Sequence, residues 1–338
     1  MKVANRFVNN EVFSTLTHND NELLHRVGVK VGHYTNPKAL TGVTVFIAED
    51  GAEIGIDIRG SGTGTLNTPA YDPKSAGKLV HAVVLTGGSI YGLESAFGVL
   101  EYLERNGIGN RRSGQLVPGI TGAVINDLKE SRNTRPTKEN GFQAAANCSY
   151  DNGIQGNIGV GNGATTGKWL KGKKSKGGFG IASQILAKDI VVAAFVVTNA
   201  VGDVISPDSV DNRQELYDIH NLNEFKALSG LMNFSPQNTT LGLIATNVKL
   251  NKTQLMKVAE LAHDGMARAI YPVHTSLDGD VVFALSSLSG ERIEPPVPVT
   301  TLVDLIGVAA ADALEKAIYN SVIQPSPAKD THGLSRHS

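Results

Sequence analysis

Glycine sets the first constraint on this chain. It fills 37 of 338 positions with no G-X-Y period, and aromatic residues make up only 6%. Glycine at that frequency implies many tight turns and close backbone approaches rather than a collagen-like fibre. Short β-type runs lie between the glycines. Val27–Val31, Gly42–Ala48 and Ala52–Ile58 come first, each bounded by Gly, Pro, Asn or Asp, as strands usually are. Ala82–Thr86, Ile190–Thr198, Leu241–Asn247 and Asp280–Leu285 read the same way. Helical spacing interrupts them. Ile90, Leu93, Phe97 and Leu100 fall on one helix face, as do Leu255, Val258, Ala259, Ala262 and Met266 behind a Thr253 N-cap. An Ala-rich helix is predicted from Leu302 to Val322, and a short one from Leu216 to Leu231 inside a polar excursion over 203–237. Residues 1–25 read as loosely attached, and the Pro/Ser/His-rich stretch from Gln324 as disordered. No repeat and no clear linker appears, so the sequence predicts one mixed α/β domain over 1–338.

Composition excludes several classes. Lys+Arg is 31 and Asp+Glu 32, a net charge of −1, which is no nucleic-acid footprint and no acidic tail. Hydrophobic residues at 41% suffice for a sizeable core. No apolar run is long enough to span a membrane, and the N-terminal stretch has no signal-type apolar segment, so the expected location is the cytoplasm. Cys148 is the single cysteine, which rules out an intramolecular disulfide and a Cys-based metal site.

Three familiar motifs fail on inspection. Gly161-Asn-Gly-Ala-Thr-Thr-Gly167-Lys168-Trp169 has Asn162 where a P-loop needs Gly and Trp169 where it needs Ser or Thr. Gly60-Ser-Gly62-Thr-Gly64 lacks the third glycine of a dinucleotide fingerprint. Gly87-Gly88-Ser89-Ile90-Tyr91 puts Tyr91 where a nucleophile elbow needs Gly. The His residues form no i, i+4 pair, so no zinc helix is predicted and the expected cofactor and metal content is none. Lys171, Lys173, Lys174 and Lys176 read as a solvated basic loop.

Two segments remain. Asn238-Thr239-Thr240 opens a strand after the polar excursion, and His274-Thr-Ser-Leu-Asp278-Gly279-Asp280 sets two carboxylates around a turn glycine. Taken alone, the first is a strand start and the second a turn. Together they resemble the self-processing aminopeptidases of the DmpA type, which include β-peptidyl aminopeptidases and nylon-oligomer (6-aminohexanoate oligomer) hydrolases. The resemblance runs in order through Gly28–His33, Gly42-Val-Thr-Val, Asp57-Ile-Arg-Gly60, Leu85–Leu93, Gly161–Lys168, Val197–Gly202, Asn238–Thr240 and His274–Ala284. The Asn-Thr-Thr start and the Asp-Gly-Asp turn look closer to the nylon-oligomer branch. The β-peptidyl enzymes typically begin the second chain with Ser and carry a Ser/Glu pair at those carboxylates.

That resemblance implies an αββα four-layer sandwich like the N-terminal-nucleophile hydrolases and ornithine acetyltransferases. It also implies a precursor that cuts itself between Asn238 and Thr239, leaving 1–238 and 239–338 paired without a covalent link. The chemistry is self-consistent. A Thr hydroxyl is a weak nucleophile without an adjacent base, and a freed α-amine, with a pKa of roughly 7.7–8.0, supplies one. By resemblance Lys168 is the active-site lysine, Asn199 an oxyanion donor and Tyr91 a pocket tyrosine. Asp278 and Asp280 hold the Thr239 amine and Lys168, with the division between them open. The implied substrates are peptide N-termini, β-peptides or 6-aminohexanoate oligomers, and the implied assembly is a tetramer of fragment pairs. The alternatives are an acyltransferase of the ornithine-acetyltransferase type, or a non-cleaving relative that only binds a ligand.

Overall fold

Nine strands hydrogen-bond into one sheet in the computed structural model, which describes residues 20–77, 79–169, 174–187, 189–205, 223 and 238–323. They are β1 (Lys30–Asn36), β2 (Thr41–Ile58), β3 (Thr65–Leu66), β4 (Val80–Thr86), β5 (Ile120–Val124), β6 (Phe179–Leu186), β7 (Ile190–Asn199), β8 (Thr239–Thr246) and β9 (Val281–Ser287). The order is β6-β7-β8-β9-β2-β4-β5-β3, with β1 also on β2. Only β8–β9 and β4–β5 pair in parallel.

The long strand β2 serves both halves of the sheet. Its first part pairs with β1 and β4, and Ala52–Ile58 pairs with β9. The sequence read it as two strands, since Glu-Asp-Gly51 looks like a turn. Here Gly51, at φ +87°, marks a register shift and a bend instead, because partners on both sides keep the chain extended.

Alternation along the strands builds three cores. Val191, Ala193, Phe195 and Val197 of β7 join Phe46 of β2, Leu85 of β4, Leu241 of β8 and Phe283 of β9. Phe46 and Phe195 meet edge-on at 5.2 Å, so the two halves of the sheet stack face to face. The alternate residues Val192, Ala194 and Val196 pack with α4 (Lys252–Ala269) and α5 (Val299–Ile323). Val43, Val45, Ala82 and Val84 pack with α2 (Glu94–Arg105) and α3 (Lys138–Ala146). The layers therefore run α-β-β-α, the architecture the resemblance implied. A further helix, α1 (Asp20–Val27), contributes Leu23, Leu24 and Val27 to the central core.

Local corrections follow from packing. The face predicted for α2 is wrong: Ile90 and Phe97 are 57% and 60% exposed, while Ala96, Val99 and Leu103 are buried. Gly98 and Gly141 explain it. A Cβ on Gly98 would lie 1.9 Å from Lys138 O, so α2 presses its small residues, not its large ones, against α3. The N-cap of α4 is Asn251 rather than Thr253, with Asn251 and Gln254 capping each other reciprocally. Its predicted apolar face is fully buried. The helix expected over Leu216–Leu231 and the tail from Gln324 lie outside the described residues, as do Lys171 and Lys173. Lys174 pairs with Glu130, and Lys176 Nζ donates to Asn162 O, so these two are tethered rather than freely solvated. Among the described residues no helix is long and apolar enough to cross a membrane.

Candidate active site

Thr239 is the first residue of β8, and every residue of that strand is buried. Its Oγ1 donates to the carbonyl oxygen of the preceding residue, Asn238, at 2.5 Å. The same carbonyl oxygen accepts the Gly279 N–H at 2.8 Å. Asn238 also forms a parallel bridge with Asp278. A Cβ on Gly279 would lie 2.8 Å from Thr239 Oγ1 and from Gly62 O, so only glycine brings that N–H so close. No sequence motif names this donor. It belongs to the backbone, and the one visible trace of it is a glycine between two carboxylates.

Both carboxylates point inward, with different partners. Asp278 Oδ1 accepts Val201 N–H at 3.0 Å, and its Oδ2 accepts Thr275 N–H at 3.0 Å and Thr275 Oγ1–H at 2.6 Å. Burial, and then the neighbouring Asp280 charge, raise the Asp278 carboxyl above its ordinary range. Asp280 Oδ1 accepts Thr240 N–H at 2.6 Å. Its Oδ2 lies 2.8 Å from His274 Nδ1. Asp280 thus bonds to the residue next to Thr239, while Asp278 bonds to the strap that follows β7. Thr275 and His274 join the site with no assigned role in the sequence, although Thr275-x-x-Asp278 has the spacing of a local hydroxyl–carboxylate turn.

Lys168 and Asn199 form the opposite wall. Asn199 ends β7 and faces Thr239 across the antiparallel pair. Its Oδ1 accepts Thr165 N–H at 3.0 Å and Lys168 Nζ at 3.2 Å, and Lys168 Nζ also donates to Asn199 O at 3.2 Å. These bonds fix the amide oxygen toward the Thr165–Lys168 turn. The turn is strapped down by Gly167 N–H to Gly202 O (2.9 Å) and Lys168 N–H to Val201 O (2.7 Å). Burial draws the Lys168 ammonium down to about 7, against the charges of Glu130 and Asp278, which favour it. Val201 therefore links Lys168 through its carbonyl to Asp278 through its N–H.

Tyr91 follows β4. It lies on a 3₁₀ turn, Ser89–Leu93, is 56% exposed, and carries the Arg135 guanidinium 4.3 Å over its ring. Among the described residues no cluster of three or more His, Cys, Asp or Glu could hold a metal.

Comparison with known proteins identifies the lineage. The model of peptidase family S58 matches residues 21–337. An uncharacterized aminopeptidase of Mycobacterium tuberculosis is 37% identical over 329 residues, covering 89% of this chain and 93% of that protein. A 6-aminohexanoate-oligomer endohydrolase of Paenarthrobacter ureafaciens is 30% identical over 270 residues, covering 77% of this chain and 73% of that protein. The solved structure of the L-aminopeptidase D-Ala-esterase/amidase of Ochrobactrum anthropi, described as a new variant among the Ntn hydrolase fold, superposes with a TM-score of 0.67 at 20% identity, over 88% of this chain and 84% of that one. With the layers and the strand-start threonine already described, this chain belongs to peptidase family S58 and is a hydrolase of amide bonds.

Proposed function

We propose that the chain is an N-terminal-threonine amidohydrolase that activates itself by cutting the Asn238–Thr239 bond. One observation carries the reading: Thr239 Oγ1 and the Gly279 N–H converge on the Asn238 carbonyl. In self-cleavage Oγ1 bonds to the Asn238 carbonyl carbon and its proton passes to the Thr239 nitrogen as the C–N bond breaks. Water then hydrolyses the ester, which frees the Asn238 carboxylate and restores the hydroxyl. The Gly279 N–H is suited to the oxyanion of the first step. Once the Asn238 end departs, the same donor is free for a substrate carbonyl. In turnover the new α-amine serves as base for Oγ1, which forms an acyl-enzyme that water resolves. Lys168, bonded to Asn199, is the base of the precursor in its free-amine form, and after cleavage its ammonium form disfavours a second positive charge on the new amine; the Asn199 amide is a second oxyanion donor. Asp278 and Asp280 hold the surrounding backbone. Tyr91 is proposed as a pocket residue at the mouth.

The substrates we propose are linear amides: peptide N-termini, β-peptides or 6-aminohexanoate oligomers. The aminopeptidase and the 6-aminohexanoate-oligomer endohydrolase among its relatives support this range. Fragments 1–238 and 239–338 stay paired as one domain, and the pairs assemble into a homo-oligomer, tetrameric by resemblance. The exposed Ile90 and Phe97 supply apolar surface for that assembly. The lone Cys148 suits a reducing compartment such as the cytoplasm.

The test is intact mass and N-terminal sequencing of purified protein. Two polypeptides are expected, the smaller beginning Thr-Thr-Leu-Gly-Leu. Thr239→Ala is expected to stay one chain and to show no turnover in a screen of aminoacyl amides, β-dipeptides and 6-aminohexanoate oligomers. A single, fully active chain rules the reading out.

A further inference from the structure

His274 aims two donors at one oxygen. Its Nδ1 lies 2.8 Å from Asp280 Oδ2, and its backbone N–H lies 3.2 Å from the same atom. The other oxygen of Asp280 accepts Thr240 N–H at 2.6 Å. Thr240 N belongs to the peptide unit that leaves Thr239, so an unbroken run of hydrogen bonds joins the imidazole to the backbone of the proposed nucleophile. Asp280 is completely buried, where an unpaired carboxylate is costly, so these donors decide where it sits.

The backbone supports the same conclusion. His274 holds φ +55°, the left-handed region, which is strained for an L-residue. Such a conformation persists only where the surroundings over-determine it. The two bonds to Asp280 do so, and they require this conformation, since it turns side chain and N–H toward one acceptor. Nδ1 faces a carboxylate and therefore carries the hydrogen. Nε2 accepts no hydrogen bond among the described residues, so the directed interaction of this ring is the one with Asp280.

What packs behind the ring is neutral. The His263 ring meets it edge-on at 4.7 Å. His263 Nε2 lies 3.2 Å from Asp57 O and 3.5 Å from Asp57 Oδ2, and Asp57 in turn binds Arg59 at 2.6 Å. Burial, and then His274, lower His263 to about 4, so near neutral pH it is a wall and not a competing charge.

We infer that His274 is a positioning residue: through Asp280 it fixes the Thr239–Thr240 peptide and so holds Thr239 Oγ1 at the Asn238 carbonyl. This rests on the reading of Thr239 as the nucleophile, which Thr239→Ala tests separately.

The experiment follows self-cleavage of freshly made precursor by intact mass, which needs no substrate. His274→Asn keeps an N–H near the Nδ1 position and tolerates left-handed φ. His274→Gln carries its N–H near the Nε2 position instead. His274→Gly removes the side-chain donor and relieves the backbone strain. If the inference holds, His274→Asn cleaves within about threefold of the parent, while Gln and Gly variants slow about tenfold or more, the scale of one buried hydrogen bond. His274→Gly in an Asp280→Asn background should then add little further slowing, because the effect runs through Asp280. Circular dichroism and Tm confirm that the compared variants are folded. Parent-like cleavage by the Gln and Gly variants, an Asn variant as slow as Gly, or full additivity with Asp280→Asn overturns the inference. A parent that never cleaves, or a Thr239→Ala precursor that still yields both fragments, overturns the nucleophile reading and this inference with it.

Discussion

In the precursor the Thr239 nitrogen is an amide, so any base for self-cleavage must come from another residue. Lys168 answers that need by position and by charge. It donates to the carbonyl of Asn199, the residue facing Thr239, and burial brings it down to about 7. The sign follows directly: below about 7 the group is an ammonium and cannot take a proton, and above it the free amine predominates. Precursor cleavage should therefore quicken as pH rises through about 7 and then level off. Lys168→Met should abolish that inflection and slow cleavage by roughly 10²-fold or more, the scale for one preorganised group. Lys257→Ala removes an equal charge from an exposed i, i+3 pair with Glu260 and should change the rate less than about twofold. Time-resolved intact mass across pH 5.5–8.5 checks all three, and a Lys168→Met profile that keeps the inflection removes Lys168 from the role. At this scale legibility was uneven. Thr239, Lys168, Asn199 and the Asp278–Asp280 pair were assigned through the family resemblance, because taken alone their segments read as a strand start, a Gly-rich loop, a strand end and a turn. Gly279 was not, because its contribution is an N–H that every residue but proline carries.

Elements were legible where a run answers to one environment. Ile190–Thr198 reads as a strand because both its faces are buried, and β7 spans those residues and one more, Asn199. The face of α2 was misread because periodicity marks large apolar residues, whereas the contact with α3 is made by glycine and alanine. Connections between elements also hide buried charge. Asp127, just beyond β5, is completely buried and accepts Gly88 N–H at 2.7 Å, tying the turn after β4 to its parallel neighbour. Gly87 and Gly163 close over it so tightly that a Cβ at either would lie within 2.3 Å of Oδ2. Burial raises this carboxyl from 3.8 to about 6. Between those values the folded chain holds a proton that the unfolded chain releases, so stability falls as pH rises from about 4 to 6 and stays lowered above that. The full shift corresponds to about 3 kcal/mol. Asp127→Asn should remove this dependence. Its Tm relative to the parent is expected to rise between pH 4 and pH 7, as read by thermal unfolding at several pH values. A Tm difference that is flat with pH would mean that the carboxyl titrates normally.

At the scale of the whole molecule the sequence hides most, since strand order does not follow chain order. β8 and β9 come late in the chain yet lie between β7 and β2. Nothing local in Leu241–Asn247 or Asp280–Leu285 announces partners so far back. That insertion governs what the proposed self-cleavage would do to the molecule. A cut before Thr239 gives fragments of about 25 and 11 kDa, splitting 35.7 kDa by length. The smaller fragment carries β8, β9, α4 and α5. On one side β8 pairs with β7 from Val192 to Asn199, and on the other β9 pairs with β2 from Ala52 to Ile58. Pulling the small fragment away would remove the middle of the sheet and create two long unpaired edges. It would also open two cores at once, exposing Leu241, Leu243, Ile244 and Phe283, all fully buried. Each such side chain contributes roughly 1.5–3 kcal/mol by its burial. Loss of one peptide bond at the strand's first residue removes none of these contacts. The cleaved protein should therefore elute as one species on native gel filtration and resolve into two bands only after denaturation. Its Tm should stay close to that of the uncleaved Thr239→Ala precursor. Two separate native peaks, or a small fragment washed off an immobilised large one in plain buffer, would show that the sheet does not hold the halves together.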